Sequence, residues 1–577
     1  MKNWKRTFLK PITPRQKQYE VLRAIAVEKS DIPTVAKKFG YSVSTVYSLI
    51  RDVKSGKLIL FPDLYRGPKE RQMPIAIQQL IFDYRSLNLS VTDICSELRK
   101  KNHDYSVRTV QRILEDALIP KLNRRTFSER GKTLKNQIIP ERTRALDFDR
   151  IEPFRYDCPV AGIFFFLPYL IESGVIDILK QCKLPKSSDI NAEQACLSML
   201  LLKLIGGKRL GHIAAYDHEP GFGVFAGLNF LPKSTYISTY SCRTSDAVLQ
   251  DFQQQVMTLF QKKYPDFYQS NVINLDFHSI PHFGEQSKME KVWCGARSKA
   301  MKGANTIFAQ DGKSNAILYT HADILHKDEA SEIIRFVSYW KAIRQEVNET
   351  LVFDCKLTTY GILDTLMQDN IKFITLRKRN KKLLADTENI PESEWQKIYI
   401  PIPKRKHKAC LIHVSDIVLP KCTKPVKQII ITHHGRAQPT YVVTNNKELS
   451  LKEILIVYAK RWHIEQKFVE LVSFFNLNAL SSPLMIRIHF DILLTVIADT
   501  LYHRFSQDLP RFEHERADSI FRRFVNTPGQ IIYDGKNFIL KIRKRAHTPI
   551  LLGVKKLQKN ISIPWLGNRT LKIEWTA

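Results

Sequence analysis

The sequence predicts a multidomain α/β protein: helical modules first, a helical domain next, and a late α/β core interrupted by a β-rich insertion. Three observations predict it. The chain of 577 residues is too long for a single core. A capped-helix pattern begins at Ser42 and recurs at Ser106. Near residue 272 the hydrophobic period shifts from that of helices to that of strands.

Composition narrows the function classes. A hydrophobic content of 44% can fill several cores. No stretch reaches the roughly 18–20 apolar residues of a membrane span. The nearest, Gly162 to Ile171, is half that length and carries Pro168. The basic start, Met1 to Lys10, has no apolar segment of signal-peptide length. Nine cysteines are scattered singly, without a CxxC or Cys/His cluster, so neither zinc nor a disulfide framework is expected. A reduced, cytoplasmic protein is the expectation. Net charge is +32 and the pI about 9.7. Residues 1–150 hold 31 Lys/Arg against 16 Asp/Glu, nearly half of the excess in about a quarter of the chain. Such a balance implies a polyanionic partner, nucleic acid rather than membrane.

Residues 1–57 read as a helix-turn-helix. Pro14 opens a first helix with Tyr19, Leu22, Ile25 and Ala26 at helical spacing, and Ile32 to Gly40 forms a short second one. Ser42 caps a third, in which Val43, Val46 and Ile50 are expected to face inward. Ser44, Thr45, Ser48 and Arg51 are left outward, where a recognition helix meets base edges and phosphates. A plain three-helix bundle is the competing reading. Residues 58–123 hold a linker, with Arg66 in a short basic piece like a minor-groove arm, and a second helix-turn-helix. There Thr92 to Arg99 suits the middle helix, and Ser106 caps the last. Val107, Val110, Ile113 and Leu114 are expected inside, with Arg108, Gln111 and Arg112 outside. Residues 124–150 are a basic linker, and 151–265 a helical domain whose most apolar part is Ala195 to Leu204.

The first part of the core spans 266–384. Val272 to Asp276 is a short strand ending on an acid, Thr306 to Thr320 a hairpin, and Leu351 to Asp354 another strand ending on an acid. Helices at 329–347 and 360–369 and a strand at 372–376 complete it. Residues 385–449 form the β-rich insertion, which includes the basic run Lys404 to Lys408. The second part, 450–510, opens on a helix whose arc holds Ile454, Val457, Tyr458, Arg461, Trp462, Glu465, Phe468 and Val469. Arg461 and Glu465 are the charges on that apolar arc. Burying them costs several kcal/mol unless a partner, a metal or a bound anion repays it. An i,i+4 ion pair is the bland account, although Arg ahead of Glu is the weaker order. Residues 511–577 contain two strand-like runs and receive no role.

Tyr458-x2-Arg461-x3-Glu465, with Thr440 to Asn445 upstream, resembles the signature of bacterial insertion-sequence DDE transposases, in the subgroup named for its Tyr-Arg-Glu-Lys pattern. The family's lysine seven residues after the glutamate is replaced by Val472, and Lys467 is the residue expected to reach the same phosphate. The resemblance implies a ribonuclease-H-like core with Asp276, Asp354 and Glu465 as the metal-binding catalytic triad. Asp364 and Asp323 stand next in line for the second acid. It further implies two Mg²⁺ ions, with Mn²⁺ a substitute, acting on phosphodiesters. Tyr458, Lys460 and Arg461 would hold a phosphate near the cut. Arg297, Lys299 and Lys302, expected on a loop after Asp276, would contact backbone phosphates, and His278 and His282 would be incidental. The implied activity is cut-and-paste transposition on terminal inverted repeats and target DNA, by a homodimer at the bacterial nucleoid. A catalytically silent repressor and a nuclease without strand transfer are the alternatives.

Overall fold

A computed structural model describes residues 11–577 except 12, 62–72, 88, 121, 123–141, 217, 285–288, 401–408, 480, 481 and 483. Arg66, most of the basic linker and the Lys404 to Lys408 run lie outside the described residues. The chain divides into two compact units at residues 139 and 140.

The first unit contains two sets of three helices. One set is α1 (Pro14–Ala26), α2 (Ile32–Phe39) and α3 (Val43–Lys54); the other is α4 (Ile75–Ser86), α5 (Val91–Lys100) and α6 (Val107–Asp116). Thr13, Asp31, Ser42, Ser90 and Ser106 each cap a helix by accepting a backbone N–H. Gly40, at φ 63, ends α2 in the left-handed region and turns the chain towards α3. Val21, Ala24, Val35, Ala36 and Val46 form one core, and Ile81, Ile94, Leu98, Val110, Ile113 and Leu114 lie in the other. Two expectations fail here: Val43 and Val107 are 42% and 46% exposed. Each stands at the first position of its helix, and burial begins only at the fourth, with Val46 and Val110. Leu49, not expected inside, is buried, and Ile50 is half-buried.

Among the described residues of the second unit ten strands form one sheet, in the order β3-β4-β2-β6-β7-β11-β10-β9-β8, with β5 off this path and paired to β4. They are β2 (Val272–Pro281), β3 (Lys291–Cys294), β4 (Lys299–Asp311), β5 (Ile317–His321), β6 (Thr350–Phe353), β7 (Phe373–Leu376), β8 (Gln396–Tyr399), β9 (Ala409–Ile417), β10 (Val426–Thr432) and β11 (Thr440–Thr444). Strand β2 is antiparallel to β4 and parallel to β6, and β6 is parallel to β7. All four residues of β6 are buried, as a parallel strand covered on both faces requires. The strands from 396 to 444 continue this same sheet through the pairing of β11 with β7. A second sheet, β1-β12-β13-β15-β14, joins β1 (Phe154–Cys158) to β12 (Gly529–Tyr533), β13 (Phe538–Arg543), β14 (Ile561–Ile563) and β15 (Arg569–Thr576).

The helix foreseen across 454–469 is broken in two. Helix α7 (Leu451–Lys460) is followed by a turn at Arg461 and Trp462, then by α8 (His463–Ser473). The Arg461 N–H donates to the Tyr458 carbonyl and the Glu465 N–H to that of Trp462, the tighter i to i+3 pattern. One arc therefore does not survive: Ile454 is fully buried, whereas Val469 is 56% exposed. Helix α8 is fastened to α9 (Met485–Gln507) by Lys467, whose ammonium lies 2.6 Å from Asp499 and 3.0 Å from Glu470. Burial alone would lower the Lys467 pKa, but the two carboxylates more than offset it and hold the group charged. Lys467→Met leaves two buried carboxylates without their cation, and should lower stability by about 3–5 kcal/mol, read from urea unfolding. An unchanged midpoint would show that the pair does not fasten the helix.

Candidate active site

The register of β2 against β6 pairs Leu275 with Phe353, and the next residue on each strand is an aspartate. Asp276 and Asp354 thus lie together where the parallel strands diverge. Asp354 caps a short turn by accepting the Cys355 N–H. Asp276 accepts the Phe277 N–H at 2.9 Å through Oδ1 and the Arg461 Nη1 at 2.6 Å through Oδ2. The other terminal nitrogen of Arg461 is 3.9 Å from Glu465 Oε1. The side chains of Arg461 and Asp276 are 14% and 18% exposed, that of Glu465 64%. The i,i+4 pair is therefore the weaker contact, and Asp276 is the main partner of Arg461.

All three acids line one cleft of about 520 Å³, together with His278, Val472 and Asn478. Burial raises the Asp276 carboxyl above its usual range; Arg461 opposes this, and the charge of Asp354 adds to it. Burial works most strongly against the Arg461 charge, but Asp276, Tyr458 and Asp354 together outweigh it and the guanidinium stays protonated. The Tyr458 phenol is pushed up to about 12 by burial, against the pull of Arg461, whose guanidinium lies 5.9 Å from its ring centre. The Nε of Arg461 is buried and has no hydrogen-bond partner among the described residues.

The remaining expected residues divide. Lys467 does not reach the cleft, because Asp499 and Glu470 hold it on another face of α8. A separate cavity of about 470 Å³ lies on that face, and its Lys467, Glu470 and Asp499 charges answer one another. Val472 does line the acidic cleft, so the position at which the resemblance implies a lysine carries a branched apolar group. Asp364 accepts both the N–H and the hydroxyl of Thr423 at 2.8 Å, and Asp323 is exposed away from the cleft, so of these three aspartates Asp354 is the one that lines the cleft. Arg297, Lys299 and Lys302 are not on a loop. They sit at and after the turn of the β3–β4 hairpin, whose Val292 to Gly295 form one wall of the cleft. Arg297 is exposed with its guanidinium 5.7 Å from the Phe283 ring. Tyr458 is half-buried and Lys460 exposed. In the first unit Ser44, Thr45, Arg51, Arg108 and Arg112 are exposed, and Ser48 and Gln111 half-buried.

His278, read as incidental, lies in the cleft with its Nε2 2.8 Å from Asn478 Oδ1, and burial lowers its pKa. Its two-residue spacing from Asp276 was the available signal, since alternate residues of a strand share a face. Asn478 had no signal in sequence. Three carboxylates make a hard oxygen donor set that suits Mg²⁺. Among the described residues no three His, Cys, Asp or Glu side chains are gathered as metal ligands, and the guanidinium of Arg461 supplies the positive charge at Asp276.

Arg461→Ala should lower stability by about 1–3 kcal/mol, because Asp276 then stays half-buried without its donor. Asp276→Asn in that background should recover part of the loss. Equal, additive losses in a double-mutant cycle of urea melts would show that the contact carries no energy.

A family model described as the transposase DDE domain matches residues 268–501. No curated protein matches the chain. Among solved structures, the piggyBac transposase synaptic complex with hairpin DNA aligns at a TM-score of 0.37 and 10% identity, over 65% of this chain and 82% of that one. The Mos1 transposase paired-end complex with the left transposon end gives 0.13 and 9%, over 62% and 76%. The Mos1 mariner paired-end complex with Mn gives 0.13 and 11%, over 63% and 77%. The segment that matches the transposase DDE domain contains Asp276, Asp354 and Glu465.

Proposed function

We propose that the protein is an insertion-sequence DNA transposase of the Tyr-Arg-Glu-Lys subgroup, acting by cut-and-paste at terminal inverted repeats. The observation that carries this reading is the convergence of Asp276, Asp354 and Glu465 on one cleft inside the segment that matches the transposase DDE domain. The strand order β5-β4-β2-β6-β7, antiparallel on one side of β2 and parallel on the other, supports a ribonuclease-H-like core.

Asp276, Asp354 and Glu465 would hold the divalent ions, with Mg²⁺ favoured by their oxygen donors. Such ions, when bound, neutralise the scissile phosphate and activate a water or 3′-hydroxyl. The chain's own residues do the rest. Arg461 favours the charged form of Asp276 against its burial and offers a planar fork of donors to a phosphate at the cleft. Tyr458 lies against that fork, and exposed Lys460 adds charge beside it. Arg297, Lys299 and Lys302 extend the positive rim along the hairpin, where a DNA backbone would lie. The two three-helix sets of the first unit act as tandem helix-turn-helix modules, with Ser44, Thr45, Ser48, Arg51, Arg108, Gln111 and Arg112 towards the duplex. The working form on DNA is a homodimer.

Asp276→Asn, Asp354→Asn and Glu465→Gln should each reduce Mg²⁺-dependent cleavage of the element's ends to background and leave end binding intact. Gel assays of cleavage and binding on one duplex check both halves. Wild-type binding without cleavage would favour a repressor, and near-normal cutting by Asp354→Asn would remove it from the site.

A further inference from the structure

Helices α3 and α6 begin with one motif, Tyr41-Ser42-Val43-Ser44-Thr45-Val46 and Tyr105-Ser106-Val107-Arg108-Thr109-Val110. The two first turns are built alike. Ser42 accepts the Thr45 N–H at 3.1 Å and its hydroxyl lies 2.7 Å from that of Thr45. Ser106 accepts the Thr109 N–H at 3.1 Å, with the hydroxyls 2.8 Å apart. The cap serine and the threonine of each first turn are thereby engaged with one another. The valine between them belongs to neither core and is 42% exposed at Val43 and 46% at Val107.

A single exposed valine is ordinary. The same valine, exposed at the same place on two helices of one repeated pattern, points to a shared task. The surface around it is suited to a polyanion: Arg51 is exposed on α3, and Arg108 and Arg112 on α6. The first turn of a recognition helix is the part that reaches base edges in the major groove. The only apolar group on those edges is the C5-methyl of thymine.

We infer that Val43 and Val107 read thymine methyl groups, one in each half of a two-part DNA site. This rests on the reading of the first unit as a pair of DNA-binding modules. The two halves share the thymine and differ beside it, because Ser44 and Ser48 of α3 are matched by Arg108 and Arg112 of α6.

The test starts by selecting duplexes from a random pool with the full-length protein. Each thymine of the selected site is then replaced by uracil, which removes the methyl and nothing else. Uracil at one thymine in each half should weaken wild-type binding about three- to fivefold, the effect of exposing one methyl-sized group. Val43→Ala should be indifferent to uracil in its own half only, and Val107→Ala in the other. Binding that no uracil alters, or alanine variants that lose the same factor on thymine and uracil duplexes, would overturn the inference while leaving the modules as DNA binders. A pool with no enriched sequence would overturn the DNA-binding reading itself and this inference with it.

Discussion

Backbone hydrogen bonds hold Val272 to Leu275 in parallel with Thr350 to Phe353, and each strand runs straight on into an aspartate. Two carboxylates are thus brought together by main-chain pairing, before any side chain is placed. Their proximity and the burial of Asp276 both work against ionisation, so the strand register itself creates a demand for positive charge. Arg461 meets it from the turn between α7 and α8. That turn also frees Glu465 to stand exposed over the same cleft. Register, helix break and ion pair therefore form one dependent series.

Two ion pairs near the site illustrate how burial assigns different work to the same kind of contact. Lys467 and Asp499 are 8% and 4% exposed, and both line the cavity on the other face of α8. The pair ties α8 to α9. Asp276 lines the acidic cleft, and Arg461, 14% exposed, pairs with it there. One pair holds the helix that carries Glu465, and the other meets the acidic cleft through Asp276.

Much of the site was legible because its signals are local. Each aspartate closes an apolar run, and periodicity alone separates strands from helices around them. The convergence of Tyr458, Arg461 and Glu465 was equally local, within two turns of chain. What escaped depends on distant partners. The Arg461–Asp276 pair, the capture of Lys467 by Asp499 and the contact of His278 with Asn478 join residues from separate elements, and no spacing encodes them. The break at Arg461 escaped for another reason: neither Gly nor Pro marks it, and the helical pattern reads through. Val43 and Val107 misled because hydrophobic spacing cannot tell a covered first turn from an uncovered one.

The long central sheet raises a question of where strand pairing stops. Unpaired edges invite addition of strands from other molecules. At one end the edge is β3, at the other β8, and each is only four residues long. Lys291 stands exposed on the first and Lys397 on the second. Strand β5 is buried at all five residues and lies against α9. Short, lysine-bearing margins and a covered flank let the sheet grow wide inside one molecule without offering a template for fibrils between molecules.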